Sequence, residues 1–131
     1  MPKIQFGNVR FTGPLPEGQY TCEIDRVDRM QVECGVEMWR LRWVVHDAPY
    51  QGRLVDDTLV FSPLGMPRVK LLCDSLGIDT TGVVDLEPET LLGGFCVVRV
   101  RVEERLLQNK VLFDGYAPAP DAEPIDDERW A

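Results

Sequence analysis

Four arginines in two pairs are the residues whose spacing suggests chemistry. Arg40 and Arg42 flank Leu41, and Arg99 and Arg101 flank Val100. Strand side chains alternate between faces, so each i, i+2 pair projects two guanidinium groups from one face, about 7 Å apart. That is roughly the spacing of successive phosphates along an extended nucleic-acid strand. Arg53, Arg105 and Lys110 stand at turns flanking these strands, and Tyr50 and Phe95 bring aromatic rings near them. Cations for phosphates and rings for bases are the two components of sequence-tolerant single-strand binding, each stacked base contributing about 1–3 kcal/mol. Arginines on an outer strand face also serve simply to solvate it, and Phe95 can equally pack under a connecting loop.

Catalysis finds little to work with. The chain has no G-x-G-x-x-G, no G-x-x-x-x-G-K-[ST] and no H-E-x-x-H. Its single histidine, His46, reads as a solvated residue beside Asp47, which leaves few arrangements for Ser-His or Cys-His chemistry. Asp56 and Asp57 are adjacent and point to opposite faces of a strand, so they form no carboxylate pair. The four cysteines, Cys22, Cys34, Cys73 and Cys96, lack a C-x-x-C pair, so zinc is not expected. Cys22, Cys73 and Cys96 fall at apolar-pattern positions and read as reduced core thiols. The expectation is a non-enzyme with no catalytic residue, metal or cofactor.

The formal net charge is -8 over 131 residues. Five acids and one base fall within residues 117–131, a net of -4 that leaves -4 on the rest. An acidic total argues against an ordinary basic nucleic-acid binder, although it permits a local basic stripe. No apolar run approaches the roughly 18 residues of a membrane span. The first residues lack the apolar stretch of a secretory leader. A cytoplasmic protein without membrane contact is expected.

These residues need elements to position them. Residues 38–45 form the clearest strand, with Trp39, Leu41, Trp43 and Val45 facing inward and read as core rather than as stacking platforms. Residues 19–27 alternate likewise until Val27 falls out of phase, which predicts a bulge or bend there. A hairpin loop with Cys34-Gly35 joins the two strands. A third strand covers 53–61, and within it Asp57 shares the phase of Val55 and Leu59 and must find a partner. Val69, Leu72, Cys73 and Leu76 form a helical stripe, with Pro67 in its first turn and Gly77 as its stop. Residues 87–92 suit one further helical turn. A fourth strand covers 95–103, Gln108-Asn109 makes a tight turn, and 110–116 return as the last strand. Residues 1–16 are irregular, with 9–12 as a short edge strand. The result is an all-β chain with one helix. Its order is that of the OB-fold, a five-stranded Greek-key barrel with a helix between strands 3 and 4. Other small barrels and α+β meanders share that order.

Seven strings extend this reading. They are Leu15-Pro16-Glu17-Gly18-Gln19-Tyr20-Thr21-Cys22-Glu23-Ile24, Met38-Trp39-Arg40-Leu41, Tyr50-Gln51-Gly52-Arg53, Leu59-Val60-Phe61-Ser62-Pro63, the L-x-x-x-L-G-I of residues 72–78, Leu92-Gly93-Gly94, and Phe113-Asp114-Gly115-Tyr116. In this order the chain resembles a family of small phage-encoded single-stranded-DNA-binding proteins, over residues 15–116. The resemblance implies an OB-fold, a non-catalytic role in phage replication or recombination, and the cytoplasm of a bacterial host. The chain departs from the family in its first hairpin, which is acidic where relatives often carry Lys-Ser-Gly-type residues.

Residues 1–116 are therefore read as the folded domain, and the proline-punctuated, acidic stretch 117–131 as a disordered tail. Its end is similar in kind to the acidic tails of bacterial and phage single-strand binders. Asp126, Asp127, Glu128 and Trp130 would contact a replication or recombination protein, while Arg129 departs from the usual pattern. The expected DNA contacts are Arg40, Arg42, Tyr50, Arg53, Phe95, Arg99, Arg101, Arg105 and Lys110. The rival reading is a phage protein-interaction or assembly module without nucleic acid. A homodimer is compatible with this reading.

Overall fold

The computed structural model describes residues 13–31 and 35–120. Within them lie β1 (Gly18–Gln31), β2 (Glu37–Val45), β3 (Leu54–Val60), α1 (Met66–Ser75), α2 (Pro88–Leu91), β4 (Phe95–Glu103) and β5 (Gln108–Pro118). The five strands form one antiparallel sheet in the order β3-β2-β1-β4-β5. The chain is thus mostly β-sheet with few helices, and α1 stands between β3 and β4 as the periodicity predicts. The expected strand 9–12 and the tip of the first hairpin lie outside the described residues.

β1 is long because it serves two partners. Its stretch from Cys22 to Gln31 pairs with β2, and its stretch from Gly18 to Glu23 pairs with β4. The register with β2 slips between Ile24 and Arg26, so the bulge residue is Asp25 rather than Val27. The extra residue leaves Ile24 inside opposite Trp43 and Val27 inside opposite Leu41. Two other expectations move. The β4–β5 turn is 104–107 and not Gln108-Asn109, with Leu107 at φ 53°. β5 runs past the expected end at Tyr116, because Ala117 pairs with Val97 and Pro118 with Cys96. Pro118 is tolerated there because an edge strand needs no ladder donor on its outer side.

Alternation built the core as expected. Trp39, Leu41, Trp43 and Val45 of β2 are buried against Tyr20, Cys22 and Ile24 of β1, Cys96, Val98 and Val100 of β4, and Val69, Leu72 and Cys73 of α1. Gly65 caps α1 where a Cβ would lie 2.1 Å from the Val60 carbonyl oxygen, so no larger residue fits that approach. Gly77, at φ 83°, ends the helical segment.

Cys22 and Cys96 face each other across β1 and β4, both fully buried. Burial pushes each thiol from 9.0 to about 12, with the field of Asp47 adding at Cys22 and that of Cys22 adding at Cys96. These thiols stay neutral in the fold but ionise in the unfolded chain. Their contribution to stability is complete below about pH 9 and is lost as pH rises towards 12. The slope is about 1.4 kcal/mol per pH unit for each thiol. Urea denaturation at pH 8 and pH 11 should show this loss, and Cys22→Ala with Cys96→Ala should flatten it. An unchanged slope in that variant would assign the loss elsewhere.

Among the described residues no ladder joins β3 to β5, so the sheet is not closed. Side chains bridge the two edges instead. Asp57, only 9% exposed, accepts from the Trp43 indole (3.1 Å), its neighbour's Thr58 N–H (2.8 Å), the Tyr116 hydroxyl on β5 and the Arg68 guanidinium (2.9 Å). Arg68, on α1, also donates to the Thr58 carbonyl at 2.8 Å and reaches the Leu112 carbonyl at 3.5 Å. Its guanidinium lies 4.8 Å from the Tyr116 ring centre. The partner that Asp57 required is therefore a whole cluster, donated by β2, β5 and α1. At one end of the seam the segment before β1 crosses over. Arg53 donates to the Gly13 carbonyl, and Asn109 holds both the N–H and the carbonyl of Leu15, at 2.7 and 2.9 Å.

Candidate nucleic-acid interface

β2 and β3 present one outer face, on which Arg40 stands opposite Thr58 and Arg42 opposite Asp56. The two arginines differ. Arg40 is exposed. Arg42 is held by Asp25 through two bonds, 2.9 and 3.1 Å, and these bonds raise its pKa further. The bulge in β1 is what turns Asp25 to that position. Arg26 and Asp28 form a second ion pair at 3.0 Å on the same face. Asp28 is opposite Arg40, so the face alternates in sign.

The β3–β5 seam forms the second feature. Two adjoining hollows of about 510 and 420 Å³ run along it and share Asp56 and Asn109. Arg101 and Lys110, opposite each other on β4 and β5, line the larger one and have no ion pair among the described residues. Phe113 lines the same hollow and is 56% exposed. Between its pairings with Val100 and Val98, β5 has four residues, 112–115, against the single Arg99 of β4, and this excursion carries Phe113 outward. Thr58 forms part of the opposite bank. Beyond it, a smaller hollow of about 210 Å³, lined by Arg40 and again by Asp56, continues the trough onto β2.

The arginines expected from sequence are thus partly assembled. Arg40, Arg101 and Lys110 border one trough. Arg99 is exposed on the same face of β4 as Arg101, and Arg105 is exposed in the 104–107 turn. Arg53 lines the far hollow, where its Nη2 donates to the Gly13 carbonyl and its buried Nη1 has no hydrogen-bond partner among the described residues. Arg42 is committed to Asp25. The two aromatic candidates lie elsewhere. Tyr50 is half-buried, edge-on to Tyr20 at 5.9 Å. Phe95, 41% exposed, packs at a tilt against His46 at 4.8 Å and pairs with Glu23, about 20 Å along β4 from Arg101. Asp126, Asp127, Glu128 and Trp130 lie outside the described residues. Sequence reasoning missed Phe113, Asp56 and Arg68 as members of this seam.

A separate cleft of about 910 Å³ lies between α1, residues 80–87 and the far ends of β1 and β2. Trp39 and Phe61, their rings tilted against each other at 4.8 Å, are part of its lining, with Met66, Val69, Cys73, Val84 and Leu86. Arg29 at its rim is bonded to Glu87 at 2.6 Å.

No protein-family model matches the chain, and no curated protein matches it. Among the described residues no helix is long and apolar enough to cross a membrane, and no group of three or more His, Cys, Asp or Glu residues is placed to hold a metal ion.

Proposed function

We propose that the protein binds single-stranded DNA without strong sequence dependence, as a non-catalytic OB-type protein of phage replication or recombination. The strand order, with β1 shared between β2 and β4 and α1 between β3 and β4, supports a Greek-key barrel whose last edge is closed by side chains. One observation carries the function: the seam trough sets Arg101 and Lys110, which have no ion pair among the described residues, beside an exposed aromatic, Phe113. Phosphates pair with the cations and a base stacks on the ring. The net charge of -8 makes this a local site on an acidic body. Binding therefore depends on these few contacts and not on long-range attraction.

Fluorescence anisotropy with a labelled 30-mer should show binding to the single strand and little to the duplex. Affinity should fall with salt at a log–log slope of about -0.7 per phosphate contact. No binding at low salt, or a flat salt response, would sink this reading. The rival, a protein-interaction module, is favoured by the apolar cleft under Trp39 and Phe61. It gains if oligonucleotides fail to bind.

A further inference from the structure

We infer that Asp56 gives the seam trough a preference for guanine in single strands. The inference rests on the reading of the trough as a single-strand site and adds to it which base the site favours. Asp56 is exposed on the outer face of β3, and all three adjoining hollows share it. Its cross-strand neighbour is Arg42, whose guanidinium Asp25 already occupies. Asp56 reaches Arg42 only through its field, and its carboxylate makes no hydrogen bond or ion pair among the described residues, leaving both oxygens open to the trough that Arg40, Arg101 and Lys110 border.

A phosphate is repelled by this carboxylate and drawn to the cations on either bank. A strand lying in the trough thus keeps its backbone on Arg101 and Lys110 and turns a base edge towards Asp56. Base edges differ in what they offer a carboxylate, which only accepts. Guanine presents two adjacent donors, N1–H and the N2 amino group, matching the two carboxylate oxygens. Adenine and cytosine each set one amino group beside an acceptor nitrogen. Thymine sets a single N–H between two carbonyls. Bidentate pairing to a charged acceptor is the strongest of these. The guanine edge concerned is occupied in a duplex and free in a single strand, so the same contact favours single strands.

The test compares anisotropy titrations of an all-thymidine 30-mer with one carrying isolated guanines at every third position. The wild type should bind the guanine-containing strand about tenfold more tightly, the scale of one good bidentate base contact. Inosine, which lacks the N2 amino group, should lose most of that advantage. Asp56→Asn should bind the thymidine strand two- to threefold more tightly, because a repulsive charge is gone, while the guanine advantage shrinks to about twofold or less. Equal wild-type affinity for the two strands overturns the guanine preference and leaves the single-strand reading standing. A preference that survives in Asp56→Asn overturns the role of this residue. No binding to either strand overturns the underlying reading itself.

Discussion

Asp57→Ala is expected to destabilise the protein by about 3–5 kcal/mol, the usual cost of removing one partner from a buried ion pair. The substitution takes one acceptor from four donors at once: the Trp43 indole, the Thr58 N–H, the Tyr116 hydroxyl and the Arg68 guanidinium. Arg68 is the costly one, since it is buried and would keep two carbonyls and the faces of Tyr116 and Phe113 but no countercharge. Replacing both charges removes the stranded cation, so Asp57→Ala combined with Arg68→Met should be more stable than Asp57→Ala alone. Urea midpoints of the three chains measure this. A single variant within about 1 kcal/mol of wild type would mean that the seam is not held by this cluster.

The second large effect is on binding. Arg101→Ala with Lys110→Ala should cut the salt slope by about 1.4, two single-strand phosphate contacts. Phe113→Ala should weaken binding by about 1–3 kcal/mol, roughly five- to 150-fold. All three side chains are exposed, so stability should move by about 0.5 kcal/mol or less at Arg101 and Lys110, and by about 1 kcal/mol at Phe113, whose ring lies 6.0 Å from the Arg68 guanidinium. Phe95→Ala is the internal control. It removes an exposed aromatic of the same kind on another part of the sheet surface, packed against His46, and should leave affinity where it was. If Phe95→Ala weakens binding and Phe113→Ala does not, the strand lies across β1 and β4 and the seam is not the site.

Periodicity made the interior legible. Trp39, Leu41, Trp43 and Val45 alternate without interruption, and all four are buried. The α1 stripe of Val69, Leu72 and Cys73 was equally plain. The site was less legible because its residues depend on departures from periodicity. A pattern of two marks Phe113 only by counting through β5, and the excursion at 112–115 breaks that count. Arg42 has the sequence setting of Arg40, yet a one-residue bulge in a different strand supplies it with Asp25. Arg68 shares its helix with the core stripe but sits off the stripe. Its role depends on the position of β5 relative to β3, a relation between residues far apart in the chain.

The double pairing of β1 bears on how the protein is made. β1, β2 and β3 are neighbours in sequence as well as in the sheet, so they can assemble as soon as about sixty residues have been synthesised. β4 then has to find the first residues of β1, with Val100 meeting Gly18. That closure spans some eighty residues and carries a loop entropy that the hairpins do not. Until β4 arrives, the edge of β1 from Gly18 to Glu23 offers unsatisfied backbone groups to any other strand nearby. A ribosome-bound chain is therefore most exposed to wrong pairing while residues 95–103 are still unmade, and the acidic character of the whole sequence keeps such chains apart.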